Sequence, residues 1–434
     1  MNKINLLSVN ISSYIVCFYP FAIVMGPAAA NTFILLSTLS FFLLNTRSLV
    51  TIFDNTFFKL FLLFWTILIL SSIFSEEKLY SLKTSLLFIR YGIFVMVCKS
   101  VIENSKSFLD NFFKINFFLI SFVALDGIFQ FFYGANFFGF TMDNLQDNRI
   151  SGIFQSELIL GSFLSKITLI VCGIGIFKNK IKLTFTLLLI AFIGILISGE
   201  RASLAIFSIS IFFILFFARD IKKFFLIFTI IIIGIGTLSV LKSNNLKTRL
   251  ITETYNSFFN LNKTNNKKIY IFSEGHQIIY NSSIKMFKDN PVLGIGPNNY
   301  RKKCNLKKYF IEDDNYIKFK SRNNDGLVNH CNTHPHNYYI QLLAETGLAG
   351  FAFLFSSLLV FIFYSLKLFI LKINNQGLNY YNFQVFIFGS IFLHLWPLTS
   401  TGNFFGSSAG NLFWLPLGFL FLFKNCKDRC NKVH

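Results

Sequence analysis

Long apolar runs recur along this chain and dictate its fold class before any single residue is considered. About twelve of them, near 6–26, 28–45, 57–75, 82–98, 112–133, 157–177, 183–199, 202–218, 222–241, 348–371, 382–399 and 410–424, are close to the length a helix needs to cross a bilayer. The expected fold is all-α, a polytopic transmembrane helical bundle of about 12 spans, with one long extracytoplasmic loop between spans nine and ten. Composition agrees: 53% of residues are hydrophobic and only 14% are charged, against roughly a quarter charged in a soluble protein.

The net charge of +20 would suggest nucleic acid as a partner if the chain were soluble. Here the lysines and arginines cluster in short loops between apolar runs, which is a demand of membrane topology, so nucleic acid is excluded as a partner. Alternate short loops differ sharply. One set carries 17 Lys and Arg, whereas the other carries only Lys78, Lys83, Arg149 and Arg201. The positive-inside rule then puts both termini in the cytoplasm and the long segment 242–347 outside it. The first 30 residues resemble a signal peptide, but the apolar run exceeds a typical h-region, so an uncleaved first helix is expected. Three parts follow: helices in 1–182, a core 183–365 that includes the loop, and helices with a short cytoplasmic tail in 366–434.

The apolar stretch from 183 to 218 is too long for one crossing. As a single helix its 36 residues would reach about 54 Å, against a bilayer core of about 30 Å. It must fold back on itself at Ser198-Gly199-Glu200-Arg201. Arg201 is thereby set at the membrane surface, a costly place for an unpaired cation, and its planar fork suits phosphate oxygens. A structural pair between Glu200 and Arg201 is the alternative. Arg90, Asp126, Lys166 and His394 also fall at membrane depth, where they pair with one another or line a cavity.

Within the long loop, 243–268 is Asn/Lys-rich and reads as an irregular lead-in. Apolar residues at helical spacing predict an amphipathic helix over 274–288, ending before Pro291. The following Asn290-Pro291-Val292-Leu293-Gly294-Ile295-Gly296-Pro297 forces a tight turn. Such a turn, with Gly294 and Gly296, either aims backbone N–H groups at an anion or is purely structural. It has neither nucleotide-binding glycine pattern.

Next, Thr333 or His334 would cap a helix with Pro335 in its first turn and Gly347 at its end, putting His336 on one face with Ile340 and Leu343. An imidazole at a helix N-terminus is held neutral, the form a general base needs. The alternatives are a histidine that only bonds loop backbone, or a zinc pair with His334. Cys304 and Cys331 share this loop, where disulfides persist, and are expected to pair. Cys17, Cys98 and Cys172 lie in spans as packing residues, and Cys426 and Cys430 form too weak a pattern for a metal site.

Taken together, these motifs resemble the O-antigen ligase and polymerase superfamily, best over 183–365. The matching elements are Gly199-Glu200-Arg201-Ala202-Ser203, then Asn290-Pro291 leading to Gly294-Ile295-Gly296-Pro297, then His336-Asn337 followed nine residues later by Gly347. Arg149-Ile150-Ser151-Gly152-Ile153-Phe154 is similar to the family's Arg-x-x-Gly-x-Phe element, and Ser400–Phe405 to its late outer loop. Many relatives carry Arg where this chain has His276, so pyrophosphate contact there would need a protonated ring, or help from Arg301.

The resemblance implies a metal-independent, inverting glycosyltransferase without cofactors, in the bacterial inner membrane and with its site at the periplasmic face. The donor it implies is a glycan on undecaprenyl pyrophosphate. The acceptor is a sugar hydroxyl, on lipid A–core for a ligase or on another lipid-linked glycan for a polymerase. In that scheme Arg201, with Arg149 or Arg301, stabilises the departing pyrophosphate, and His336 takes the hydroxyl proton. Asn337 or Glu345 orients the site, and the prenyl tail lies along the apolar spans among the membrane lipids. The ligase reaction is favoured because His-Asn-x9-Gly fits ligases. A polysaccharide transporter is the competing class, but it would place its polar residues at the bilayer midplane rather than in one loop.

Overall fold

The computed structural model describes residues 3–44, 54–141, 149–259, 272–312, 327–328, 330–370, 377–406 and 409–420. The bundle is built from α1 (Lys3–Val24), α2 (Pro27–Leu44), α3 (Thr56–Ile73), α4 (Lys78–Asn104), α5 (Phe108–Tyr133), α6 (Leu160–Phe177), α7 (Ile181–Ile197), α8 (Arg201–Phe217) and α9 (Lys222–Lys242). A cap follows, comprising α10 (Asn244–Lys247), a π-turn over Thr248–Thr252, α11 (Glu253–Phe259), α12 (Glu274–Asp289) and α13 (Tyr300–Lys303). It also holds two minimal antiparallel strands, β1 (Ile311–Glu312) and β2 (Leu327–Val328). The chain returns to the bundle through α14 (Tyr338–Ile370), α15 (Leu378–Leu395) and α16 (Ala409–Phe419).

Every apolar run read from the sequence falls on a helix. Among the described residues six helices are long and apolar enough to cross a membrane, while Val9–Val24, Ile181–Ile197 and Arg201–Phe217 are apolar but shorter. The chain is therefore a helical membrane protein. Its most enclosed element is α6, which packs against α5, α7 and α15 and is buried almost throughout.

The cap has a small core of its own, formed by Ile279, Tyr280, Met286, Ile295, Tyr300, Cys304, Tyr309 and Ala344. The amphipathic helix expected over 274–288 is α12, and it packs against the first half of α14. The structure joins Cys304 to Cys331, with Cα atoms 5.2 Å apart.

Two expectations need correction. The lead-in 243–268 is not irregular in its described part, 243–259. Ser243 accepts a hydrogen bond from the Leu246 N–H at 3.3 Å and starts a helical segment, with Leu246 buried beneath it; residues 260–268 lie outside the described residues. The second concerns α14. It starts at Tyr338, not near Pro335, because Asn337 is the cap: its Oδ1 accepts from Tyr339 N at 3.0 Å and Ile340 N at 3.1 Å. Gly347 ends the first helix of α14 as expected: at φ +63°, ψ −159° it is non-helical, and a second helix resumes beyond the kink and runs to Ile370.

Candidate functional site

The fold-back between α7 and α8 is made by Ser198, Gly199 and Glu200, and Arg201 opens α8. Glu200 does not pair with its neighbour. Its carboxylate accepts the N–H groups of Gly161 at 2.7 Å and Ser162 at 3.0 Å, and the Ser203 hydroxyl at 2.8 Å. It thus closes the N-terminus of α6, where unsatisfied amides favour negative charge. Burial raises its carboxyl above the usual range, opposed by the nearby Arg149 and by these donors. Glu200 is accordingly a brace between α6 and α8.

Arg149 flanks this turn and donates to Leu158 O at 3.2 Å. Arg201 donates to Ser257 Oγ at 3.2 Å, linking the fold-back to α11. Arg249, on the π-turn, donates to Gly199 O at 3.4 Å and forms an ion pair with Glu253. The sequence reading missed Arg249, because it lies in a segment read as irregular. An isolated Arg directly after a span is a weak signal that only the folded turn makes specific.

The histidines meet this cluster from the cap. The rings of His276 and His336 are 5.5 Å apart, and those of His334 and His336 are 4.1 Å apart. Arg201 lies near enough to His276 for its charge to act on that ring. His336 precedes the cap of α14 in a left-handed conformation, φ +58°, and its carbonyl accepts the Thr401 N–H at 2.7 Å. Asn337 Nδ2 donates to Pro397 O at 2.7 Å and Thr399 O at 3.3 Å. The loop after α15 therefore grips the backbone on either side of the His336 side chain.

The three imidazoles differ in their bonds. His334 Nδ1 meets Thr333 Oγ1 at 2.9 Å, and its Nε2 meets the carbonyl of Thr401 at 3.3 Å. A carbonyl only accepts, so Nε2 carries the proton and both nitrogens are engaged. His276 Nδ1 meets Ser273 Oγ at 2.6 Å. The His336 ring lies within hydrogen-bonding reach of the Thr401 backbone, which favours its charged form. Burial, reinforced by His334 and His330, lowers it to about 4. Burial likewise takes His276, which also faces His336, His330 and Arg201, and His334 down to about 4. All three are neutral at pH 7. Among the described residues, no three of His, Cys, Asp and Glu are arranged to share a metal ion.

The glycine turn is spoken for. The kink at Gly347 frees carbonyls and amides of α14, and the turn satisfies them: Ile295 N donates to Ala344 O at 3.0 Å and Gly296 N to Glu345 O at 2.9 Å. In return, Leu348 N donates to Pro291 O at 2.8 Å and Ala349 N to Val292 O at 3.3 Å. A Cβ on Gly294, at φ +69°, would lie 2.4 Å from the Glu345 carbonyl carbon, and one on Gly347 would lie 2.3 Å from Val292 O. Gly294 and Gly296 thus serve backbone packing and present no amide cradle.

Glu345 is similarly occupied. It is buried, accepts the Tyr300 N–H at 2.8 Å and Gln341 Nε2 at 2.9 Å, and organises the cap above Ser71 and Tyr80. Arg301 on α13 is exposed, yet near enough for its charge to act on His334 and Glu345. The membrane-depth charges do not pair with one another as salt bridges. Asp126 accepts from Phe137 N at 2.9 Å and Asn136 Nδ2 at 3.2 Å, and Arg90 donates to Tyr91 OH at 3.2 Å.

Arg149, Arg201, Arg249, His276, His334 and His336 thus border one region where the cap meets the bundle, with Arg301 at its rim. Residues 186–355, which run from α7 into α14 and hold most of these groups, match the family described as O-Antigen ligase. No curated protein matches the chain.

Proposed function

We propose, from the match of residues 186–355 to the family described as O-Antigen ligase, that this membrane enzyme of ligase or polymerase type moves a glycan from undecaprenyl pyrophosphate to a sugar hydroxyl. The proposed acceptor is lipid A–core. The observation that carries the reading is the meeting of a neutral imidazole, His336, with a set of arginines from separate elements. A displacement at an anomeric carbon needs both: a base beside the attacking hydroxyl and fixed positive charge where the diphosphate departs.

His336 accepts the proton of the acceptor hydroxyl as that oxygen attacks the anomeric carbon. The bond from this carbon to the pyrophosphate oxygen breaks on the opposite face, inverting the configuration. Arg201, Arg149 and Arg249 meet the charge that develops, and Arg301 sits at the entrance. A bound diphosphate also makes His336 more basic, since nearby negative charge favours imidazolium. His276 is held neutral by burial and becomes a cationic partner only when the diphosphate draws a proton onto it. This scheme uses no metal, and chelator should leave transfer by the purified protein unchanged.

The test is deletion followed by glycolipid analysis. A ligase mutant accumulates long lipid-linked polymer beside bare lipid A–core. Core bearing at most one repeat unit would assign polymerisation instead.

A further inference from the structure

In the enclosed helix α6, every residue from Leu160 to Ile176 is buried except Ser162 and Lys166. These two stand one turn apart and share a face. That face does not look out on lipid, because Leu169, Ile170 and Gly173 further along it are buried. A polar strip that keeps access within an otherwise enclosed helix borders a recess inside the protein. Such a recess would open beside the functional site, where Ser162 N–H meets Glu200 at 3.0 Å. It reaches Lys166 about 6 Å further along the helix axis.

Opposite Lys166 stands α15, whose Ser390 hydroxyl donates to the Lys166 carbonyl at 3.3 Å. One turn nearer the site is His394. It is 2% exposed, and both of its ring nitrogens lack a hydrogen-bond partner among the described residues. The ammonium of Lys166 makes no ion pair and no hydrogen bond among them either, although Glu200 and His394 lie within reach of its charge. An ammonium and a buried imidazole without acceptors are costly at membrane depth, and an anion would satisfy both.

We propose that Lys166 and His394 form a phosphate subsite beneath the arginine–histidine cluster, taking the phosphate that joins the donor's diphosphate to its prenyl chain. The proposal rests on the donor named above. Depth selects this phosphate: the prenyl chain must run into the bilayer, and Lys166 lies deeper than Arg201, while the sugar end faces His336.

The test measures binding of undecaprenyl pyrophosphate to the full chain in phosphatidylcholine nanodiscs. Lys166→Met should weaken binding about 10-fold or more, the loss of a charge-assisted contact. Lys166→Arg should stay within about 3-fold of wild type. Should Lys166→Met fail to fold, His394→Phe serves in its place, with an expected loss of about 3-fold. Unchanged binding in whichever variant folds would overturn the subsite and leave a recess that holds water only. Phosphatidylglycerol in the disc that displaced the donor from wild type but not from Lys166→Met would assign the recess to bulk lipid headgroups, and would overturn it as well. His336→Asn, in the same discs, separates the two readings. It should bind donor as wild type does yet transfer nothing. An active His336→Asn would defeat the base assignment and leave the Lys166 result readable.

Discussion

Two turns in this chain have much the same appearance in the sequence and opposite roles in the structure. Ser198-Gly199-Glu200 and Asn290–Pro297 are both short, glycine-bearing breaks beside apolar helices. In the first, the backbone reversal is completed locally, and Arg201 is delivered to a region it shares with Arg149, Arg249 and the histidines. In the second, the backbone itself is the product. The Ile295 and Gly296 amides and the Pro291 and Val292 carbonyls fill the gap that Gly347 opens in α14, and so are committed to the backbone. The lesson is to ask where a turn's polar groups are satisfied before reading it as a binding loop.

Substitutions can set the two turns against each other. The largest effect should come from the group both arrangements serve: His336→Asn, which tolerates the left-handed backbone, should reduce glycan transfer about 1000-fold or more at normal protein level. A transfer assay on purified protein that found it active would remove the base from the scheme. Arg201→Lys should lose about 100-fold in rate with an unchanged melting temperature, because a point charge replaces a planar fork.

Gly294→Ala should do the reverse. A methyl group pressed on the Glu345 carbonyl should cost about 2–4 kcal/mol of stability, read as a lower unfolding midpoint, while the protein that remains folded keeps near-normal rate constants. A Gly294→Ala protein that was stable but inactive would put the glycine turn back in the site.

The last prediction concerns acid. His276, His334 and His336 titrate near 4 in the folded protein, against 6.5 when exposed. The unfolded chain therefore binds more protons between these values, and stability falls as pH drops from about 6.5 towards 4. The acid limb of kcat/KM should lie near 4 rather than 6.5, since that quantity reports the free enzyme. An acid limb at 6.5 would mean that His336 is not buried in the working protein.

Much of this architecture was legible in the sequence because hydrocarbon permits so few backbone solutions. Apolar runs of bilayer length mark helices, and the fold-back at 198–201 followed from length alone. The cap was harder. Asn337 rather than Thr333 starts α14, because its side chain can reach two amides while a carbonyl-gripping loop from 397–401 holds the preceding residue out of the helix. That loop lies some 60 residues away, and no local pattern announces it. Gly347 was legible as a helix terminus with a span beyond it; what no local pattern showed is that the turn at 290–297 satisfies the broken ladder. Arg249 was invisible for the same reason: its relevance comes from Gly199, 50 residues earlier. Glu200 and Glu345 looked like partners for charge or substrate, and both are occupied by backbone amides that only the tertiary structure brings to them.

The covalent tie between Cys304 and Cys331 closes a segment whose ends are 27 residues apart, and Cys331 lies just upstream of His334 and His336. Such a closure restricts the unfolded chain by about 3–4 kcal/mol. It also sets an order of events in biogenesis. Helices can insert while thiols are reduced, but the segment upstream of the histidines gains this tie only on oxidation, so a cell deprived of its thiol oxidant would accumulate inserted, full-length protein whose cap lacks it.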